Sequence, residues 1–457
     1  MLTPWLVAVA AVLVLASLPY WLPDRVVALR MWIFARLNGD EGVPVPGKLV
    51  DPAGFRALYE HPAADGRSRG AVLSDLFWYW LSPGAHLHQE HLEPGPAYDE
   101  VARTTRRILA VPTAAATDLA ARCAARILDE LPPGRVRVVR LRDLMMPVWA
   151  EVWYEVVFGE PCPRAARDLI VGNADDVVTA LKCTGLRHLA TRDRLTRYLM
   201  ERGDPPHELP DRMSARERAL YLQGVFFNTA VVQMSEAMAH LLLALAQHPE
   251  VPARLCAEPD DDRYLDRVVD ETLRLYPLFG IAHRITSADI TLHDGPTIPA
   301  GSVLCFSYPQ YHRIGYAEPD SFRPERWETI PAREANHIPF GVAANRPCPA
   351  WRLAPIMMRA VTRETVRRFA LSSSAGHTRA LANRGPCLLV PRDGAGRSER
   401  PHRTVVIGMR LRDRWEDVYR SLGQLILGTY MVWDARRQRL CQRYFAEHPD
   451  EAGSVVR

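Results

Sequence analysis

Apolar and polar positions divide the chain into distinct stretches before any chemistry is considered. From Trp5 to Leu22 the residues are uncharged and almost wholly apolar. At about 1.5 Å per helical residue such a run just crosses a hydrocarbon core of roughly 30 Å. Arg25, Arg30 and Arg36 follow directly. The positive-inside bias therefore predicts a single-pass membrane anchor over residues 1–24, with the rest of the chain on the cytoplasmic side. A cleaved signal peptide would need a basic leading region and a clean small-x-small cleavage site, and this run lacks both. Val26, Leu29, Ile33 and Leu37 then recur at helical spacing, with Trp32 and Phe34 nearby, which predicts either a segment over 25–43 lying on the bilayer or an ordinary core helix. Val43 to Gly47 reads as a Pro-Gly hinge between anchor and domain.

The next stretches are helical. The pattern predicts a helix from Asp99 to about Leu131, broken near Pro112, another from Leu141 to Phe158, and an interrupted one from Arg164 to Glu201. Ser214 and Glu217 fit a capping box that opens a long helix. His248-Pro249 ends it near Gln247, because proline disfavours helix at the residue before it. A further helix spans Leu265 to Leu275, strand-like runs follow at Ile285 to Leu292 and Val303 to Ser307, and a helix runs from Pro349 to about Phe369. The strand Cys387 to Val390 closes the pattern. The expectation is one mainly α domain with small β-sheets over residues 44–392, followed by a helical extension over 393–457. In that extension Leu422, Leu425, Ile426, Tyr430 and Trp433 share a helical face. Such a stripe packs on its own domain, meets a membrane or binds a partner.

Composition narrows the function classes. Hydrophobic residues make up 48% and charged residues 24% of the chain, which permits a large buried core. The net charge of +4 gives no argument for a nucleic-acid partner. The eight cysteines are scattered and form no CxxC pair, so neither a disulfide framework nor a zinc site is predicted.

Candidate chemistry lies in the second half. Glu271-Thr272-Leu273-Arg274 puts a carboxylate and a guanidinium three apart on a helix. Arg284 follows, then Phe322-Arg323-Pro324-Glu325-Arg326-Trp327, then Pro339-Phe340-Gly341-Val342-Ala343-Ala344-Asn345-Arg346-Pro347-Cys348-Pro349-Ala350. This ordered set resembles the cytochrome P450 family, from about Pro44 to Pro391. The resemblance implies that fold, with heme b as cofactor and Cys348 as its axial thiolate and metal ligand. It implies that Phe340 belongs to the heme loop, that Arg346 and Arg284 pair with the propionates, and that Glu271, Arg274 and Arg326 form a buried bracing triad. It also places an arginine of an early helix against a propionate, with Arg103 the first candidate and Arg106 and Arg107 behind it. A thiolate ligand pushes electron density onto the iron and favours O–O cleavage.

Four departures qualify the resemblance. Phe340 to Cys348 spans eight positions where the family has seven, Ala344 stands where glycine is usual, and Pro349 follows the cysteine. A proline cannot donate an amide hydrogen to the sulfur. In the long helix, where the family carries an acid and an alcohol, an ungapped register gives Thr229, Ala230, Val231, Val232 and Gln233, with Val232 and Gln233 at the pair. A shift of one turn puts Asn228 and Thr229 there instead. The leading expectation is oxidation of a lipophilic small molecule in specialised metabolism, by hydroxylation or oxidative cyclisation. Electrons would come from a separate ferredoxin or flavin reductase, since no GxGxxG fingerprint or cysteine cluster is present. The altered helix keeps open an isomerase, dehydratase or group-transfer reaction on a substrate that already carries an O–O or N–O bond. A catalytically silent partner protein is the third reading.

Overall fold

The computed structural model describes residues 2–38, 42–69, 71–292, 295–377, 383–392 and 400–451. Parts of the expected extension, 393–399 and 452–457, lie outside the described residues. The first half comprises α1 (Leu2–Asn38), β1 (Gly42–Val45), α2 (Gly54–Glu60), α3 (Val72–Leu81), α4 (Pro96–Ile108), α5 (Thr113–Asp129), β2 (Arg137–Arg140), α6 (Leu141–Phe158), α7 (Arg164–Leu181) and α8 (Leu189–Arg202). The central helix is α9 (Ala215–Gly224), a π-helical segment (Val225–Ala230) and α10 (Val231–Gln247) in unbroken sequence. Then come α11 (Glu250–Ala257), α12 (Asp262–Leu275), β3 (Ile281–Ile285), β4 (Ile290–Thr291), β5 (Thr297–Ile298), β6 (Val303–Ser307), α13 (Tyr308–Tyr311), α14 (Leu353–Arg368), β7 (Phe369–Ser372) and β8 (Pro386–Pro391). The chain ends in α15 (Arg400–Gln438) and α16 (Leu440–Glu447).

The architecture is mainly helical with small sheets. One sheet has the order β1-β6-β3, with β1 parallel and β3 antiparallel to β6. The other, β2-β8-β7, is antiparallel. The core lies where α10 packs on α6 and α14 packs on α5. Trp149, Trp153, Leu241, Leu242 and Val361 are all buried there. Ser214 accepts from the Glu217 amide and the Glu217 side chain returns the bond, so the capping box forms as its two residues require. The helix pair α4 and α5 bends by 74° at the break around Pro112.

Four local expectations are corrected. The hinge at Val43 to Gly47 is in large part strand β1, because Val45 is fully buried and pairs with Phe306; Pro44, which lacks an amide, is tolerated because β1 is an edge strand. The helix expected from Pro349 begins at Leu353. The strand-like run expected from Ile285 to Leu292 is broken: β3, which pairs with β6 from Ile281 onward, ends at Ile285, and the short β4 follows at Ile290–Thr291. Residues 1–24 and 25–43 do not form separate segments: α1 is continuous from Leu2 to Asn38 and carries Pro19 and Pro23 inside it. The helix survives both prolines where it is packed, since α15 lies along it. It is long and apolar enough to cross a membrane over Pro4–Ile33.

Candidate functional site

The loop before α14 is built around Cys348. The Cys348 amide donates to the Phe340 carbonyl at 2.8 Å and closes the loop. Its additional residue is taken up by two left-handed positions, Gly341 at φ +73° and Arg346 at φ +50°. A side chain at Gly341 would be strained and would press on the Tyr59 hydroxyl, 3.3 Å from its Cβ. Asn345 pins the loop from inside. It donates to the carbonyls of Tyr59 (2.8 Å) and Ala64 (2.9 Å) and accepts from Arg67 Nη2 at 2.8 Å. Cys348 is partly accessible. Burial pushes its thiol up to about 11, against an opposing hydrogen bond from the Ala350 backbone. A thiol in that range keeps its proton near neutrality unless a cation takes its charge. Pro349 offers the sulfur no amide; Ala350 does.

Beside this loop stand Arg67, Arg284 and Arg346. Arg284 donates from Nη2 to the Tyr59 hydroxyl and from Nη1 to the His283 carbonyl, both at 2.8 Å. Arg346 donates to the Leu92 carbonyl at 2.6 Å and its guanidinium lies 3.7 Å from the Tyr98 ring centroid. Among the described residues none of the three guanidiniums is paired with a carboxylate, although the Arg67 backbone amide donates to Glu93 at 3.2 Å. Buried Arg67 Nε, Arg284 Nε, Arg346 Nη2 and His91 Nδ1 have no hydrogen-bond partner. Burial, together with the neighbouring arginines, lowers the pKa of Arg67 and Arg346. An unsatisfied buried donor costs about 1–3 kcal/mol, and more when charged. Three buried guanidiniums without an ion pair therefore fit an anionic ligand, and a macrocycle carrying two carboxylates fits this donor set, which shares a loop with Cys348 through Arg346.

Under the loop, Glu271 of α12 meets Arg274 and Arg326. Arg274 Nε and Nη2 each bond to the carboxylate at 2.9 Å, and Arg326 Nε does so at 2.9 Å. The Arg323 amide (2.9 Å) and Trp327 Nε1 (3.1 Å) complete the shell. Glu271 and Arg274 are wholly buried.

The π-helical segment supplies a second group of candidate side chains. Val225, Thr229, Ala230 and Gln233 are partly accessible, whereas Phe226, Phe227, Asn228 and Val231 are buried. Thr229 and Gln233 thus share one face, and Val232, at 8% exposure, does not join it. His88, from the loop before α4, lies 2.7 Å from Thr229 Oγ1 through Nε2. The Glu90 amide donates to His88 Nδ1 at 3.2 Å, so the neutral imidazole carries its proton on Nε2 and donates to Thr229. Burial holds the pKa of His88 below its ordinary value.

Arg103 is a correction. It is exposed, as are Arg106 and Arg107, because α4 turns Val101, Ala102, Thr105 and Ile108 inward. Arg107 pairs with Glu208 at 2.8 Å. Arg67, Asn345 and His88 were not singled out from the sequence. The density of His86, His88 and His91 within six positions was the available signal for His88; nothing local marked Arg67.

The sequence profile of the family described as Cytochrome P450 matches residues 191–395. Residues 191–395 thus carry a cytochrome P450 domain match. Cytochrome P450 3A29 of Sus scrofa is 31% identical over 192 residues, covering 37% of this chain and 38% of the relative. Cyclooctat-9-en-7-ol 5-monooxygenase of Streptomyces melanosporofaciens is 31% identical over 131 residues, covering 24% and 28%. The alignments thus span little more than a third, or less, of these curated P450s. The crystal structure of CYP175A1 from Thermus thermophilus superposes with a TM-score of 0.60 at 19% identity, covering 82% of this chain and 98% of that one. Retinoic acid-bound cyanobacterial CYP120A1 gives 0.56 at 18% identity, with 70% and 82% covered. The P450 fold therefore extends well beyond the segment that sequence alone matches.

Proposed function

We propose that this chain is a heme-thiolate oxidoreductase acting on a lipophilic small molecule, with Cys348 as the axial ligand of heme b and Arg67, Arg284 and Arg346 holding its propionates. The observation that carries the reading is the set of buried, unpaired guanidinium and imidazole N–H groups beside the cysteine loop. Heme, when bound, supplies the redox chemistry. The chain's residues supply the rest. The Ala350 amide is a donor to the sulfur, and Pro349 removes one, which leaves more charge on the thiolate. On the π-helical segment the Thr229 hydroxyl, held by His88, has its own proton free to face the site. The Streptomyces relative is named as a monooxygenase of cyclooctat-9-en-7-ol, which favours hydroxylation in specialised metabolism. A separate ferredoxin or flavin reductase would deliver electrons. Arg25, Arg30 and Arg36 favour a catalytic domain on the cytoplasmic face of a membrane.

The partly accessible strip Val225, Thr229 and Gln233 carries no carboxylic acid, and this supports a second reading: isomerisation, dehydration or group transfer on a substrate with a pre-formed O–O or N–O bond. Incorporation of labelled dioxygen into product excludes it, and turnover under argon without reductant excludes the first. The test of the site itself needs no substrate. Reduction under carbon monoxide should give the long-wavelength Soret band of thiolate ligation, absent in Cys348→Ala. The band of a neutral ligand in the native chain would sink the assignment of Cys348.

A further inference from the structure

The C-terminal helix α15 buries one side and leaves the other bare. Asp413, Arg420, Met431 and Ala435 are buried. Asp413 bonds to Arg140 of β2, and Met431 packs with Leu76 and Tyr79 of α3. On the other side Leu411, Trp415, Tyr419, Ile426, Tyr430 and Trp433 are each 46–80% exposed. At 3.6 residues per turn these six fall within an arc of about 100°. The helical stripe read from the sequence is in good part this bare face.

The helix α1 says what covers it. Arg414 of α15 stacks on Tyr20 at 4.6 Å, and Arg30 donates to Gln424 at 2.9 Å. Ile33 shares an apolar groove with Leu425, Ile426, Thr429, Tyr430 and Trp433. Rising numbers in α1 meet rising numbers in α15, so the two helices run parallel and side by side, and the stripe continues onto α1. Among the described side chains of α1, Pro4–Ala16 is the run exposed on all sides. Deeper insertion along the membrane normal would draw exposed Arg403, Arg410 and Arg412 of α15 into hydrocarbon, where each cation is strongly disfavoured. Laid along the surface, the same arginines meet anionic headgroups, and the tryptophans and tyrosines of the stripe take the depth such amphipathic rings prefer. The acids of α15 do not oppose this, because Asp413 and Glu416 pair with Arg140, Asp417 with Arg420, and Asp434 with Tyr79.

We propose that α1 and α15 together form one membrane-contact surface, lying along an anionic phospholipid bilayer, with the bare stripe of α15 seated in its headgroup layer. The inference rests on α1 meeting a membrane and is independent of the heme reading. The full chain would be reconstituted in phosphatidylcholine–phosphatidylserine vesicles containing a diazirine-bearing phosphatidylcholine, irradiated, and its adducts mapped by mass spectrometry. Adducts are expected on α15 peptides between Leu411 and Trp433 as well as on α1. The double variant Tyr419→Glu, Ile426→Glu, changed only at exposed positions, should lose the α15 adducts and keep its heme spectrum. Adducts confined to α1 overturn the proposal. So does an unlabelled α15 in a chain that runs as a dimer, which would make the stripe an interface between two copies.

Discussion

The protein holds two buried arginine clusters, one around Glu271 and one around Arg284, and they are wired in opposite ways. Around Glu271, the guanidiniums of Arg274 and Arg326 are met by a carboxylate and by the carbonyls of His312, Ala317, Pro319 and Ser321. Around Arg284, three guanidiniums face one another with donors left over. The first arrangement is complete within the chain, and adding a ligand could only disturb it. The second is incomplete within the chain and is destabilising until an anion arrives. The same residue type thus braces the fold in one place and waits for a cofactor in the other. The difference is read from unspent hydrogen-bond donors rather than from charge alone.

The strongest way to break the comparison is at Glu271. In Glu271→Gln two buried guanidiniums lose their countercharge, a loss of about 3–5 kcal/mol for a buried pair. Thermal unfolding followed by circular dichroism should show a large fall in Tm whether or not heme is present. An unchanged melting temperature would mean that the triad is not a brace. Arg284→Leu should behave in the opposite sense. Without heme its stability should hold or rise, because one of three like charges has gone. With heme, the loss of a charge-assisted bond worth about 1.5–3 kcal/mol should speed heme transfer to an apo-acceptor by about 10- to 100-fold. If Arg284→Leu destabilises the apoprotein as Glu271→Gln does, the two clusters are alike and the propionate assignment fails.

The contrast also explains what was legible in the sequence. Glu271 and Arg274 are three residues apart on one helix, and Ser214 and Glu217 are a capping box; such pairs are fixed by helical spacing and show in a string of letters. The breaks at Pro112 and Pro249 are equally local. Arg67 is different. It meets Asn345 across 278 positions, and only the β1-β6-β3 sheet and the bridge from Gly66 to Ile285 bring it there. The π-helical segment was hidden for another reason, since a shift in the hydrogen-bond ladder leaves composition untouched. In α15 hydropathy drew attention to the bare face, because the buried face carries Asp413, Arg420 and Asp434, whose charges are matched by Arg140 of β2 and by Glu416, Asp417 and Arg437 of the helix itself. Arg103 failed by a single position, with Ala102 taking the inward direction.

A finer test uses pH. His283 is buried, stacks on Phe77 and bonds to the Arg67 carbonyl at 2.9 Å. Burial, with further depression from Arg284 and Arg67, takes its pKa down to about 4. The unfolded imidazole titrates near 6.5, so the unfolded state binds the extra proton between these values. Stability from His283 is therefore complete above pH 6.5 and is lost as the pH falls toward 4, by about 3 kcal/mol in all. Urea unfolding of the apoprotein at pH 7 and 4.5 should show this loss, reduced in His283→Gln. Bound heme should shrink it, because propionates neutralise the arginines that depress the imidazole. An equal acid loss in the variant would remove His283 from the account.

The smallest effect expected is also the one that separates geometry from motif. Arg103 belongs to a run of arginines on an early helix, and by motif alone it ranks with Arg284 and Arg346. By position it does not, because its side chain is in water. Arg103→Ala should leave heme transfer unchanged and stability within about 0.5 kcal/mol, as for exposed positions generally. Tyr98, five residues earlier, is the α4 residue that does touch the cluster, through the face of its ring on Arg346. A heme transfer rate raised in Arg103→Ala to the level of Arg284→Leu would mean that α4 rotates when the cofactor binds. The arginine cluster would then have a fourth member that is turned outward here.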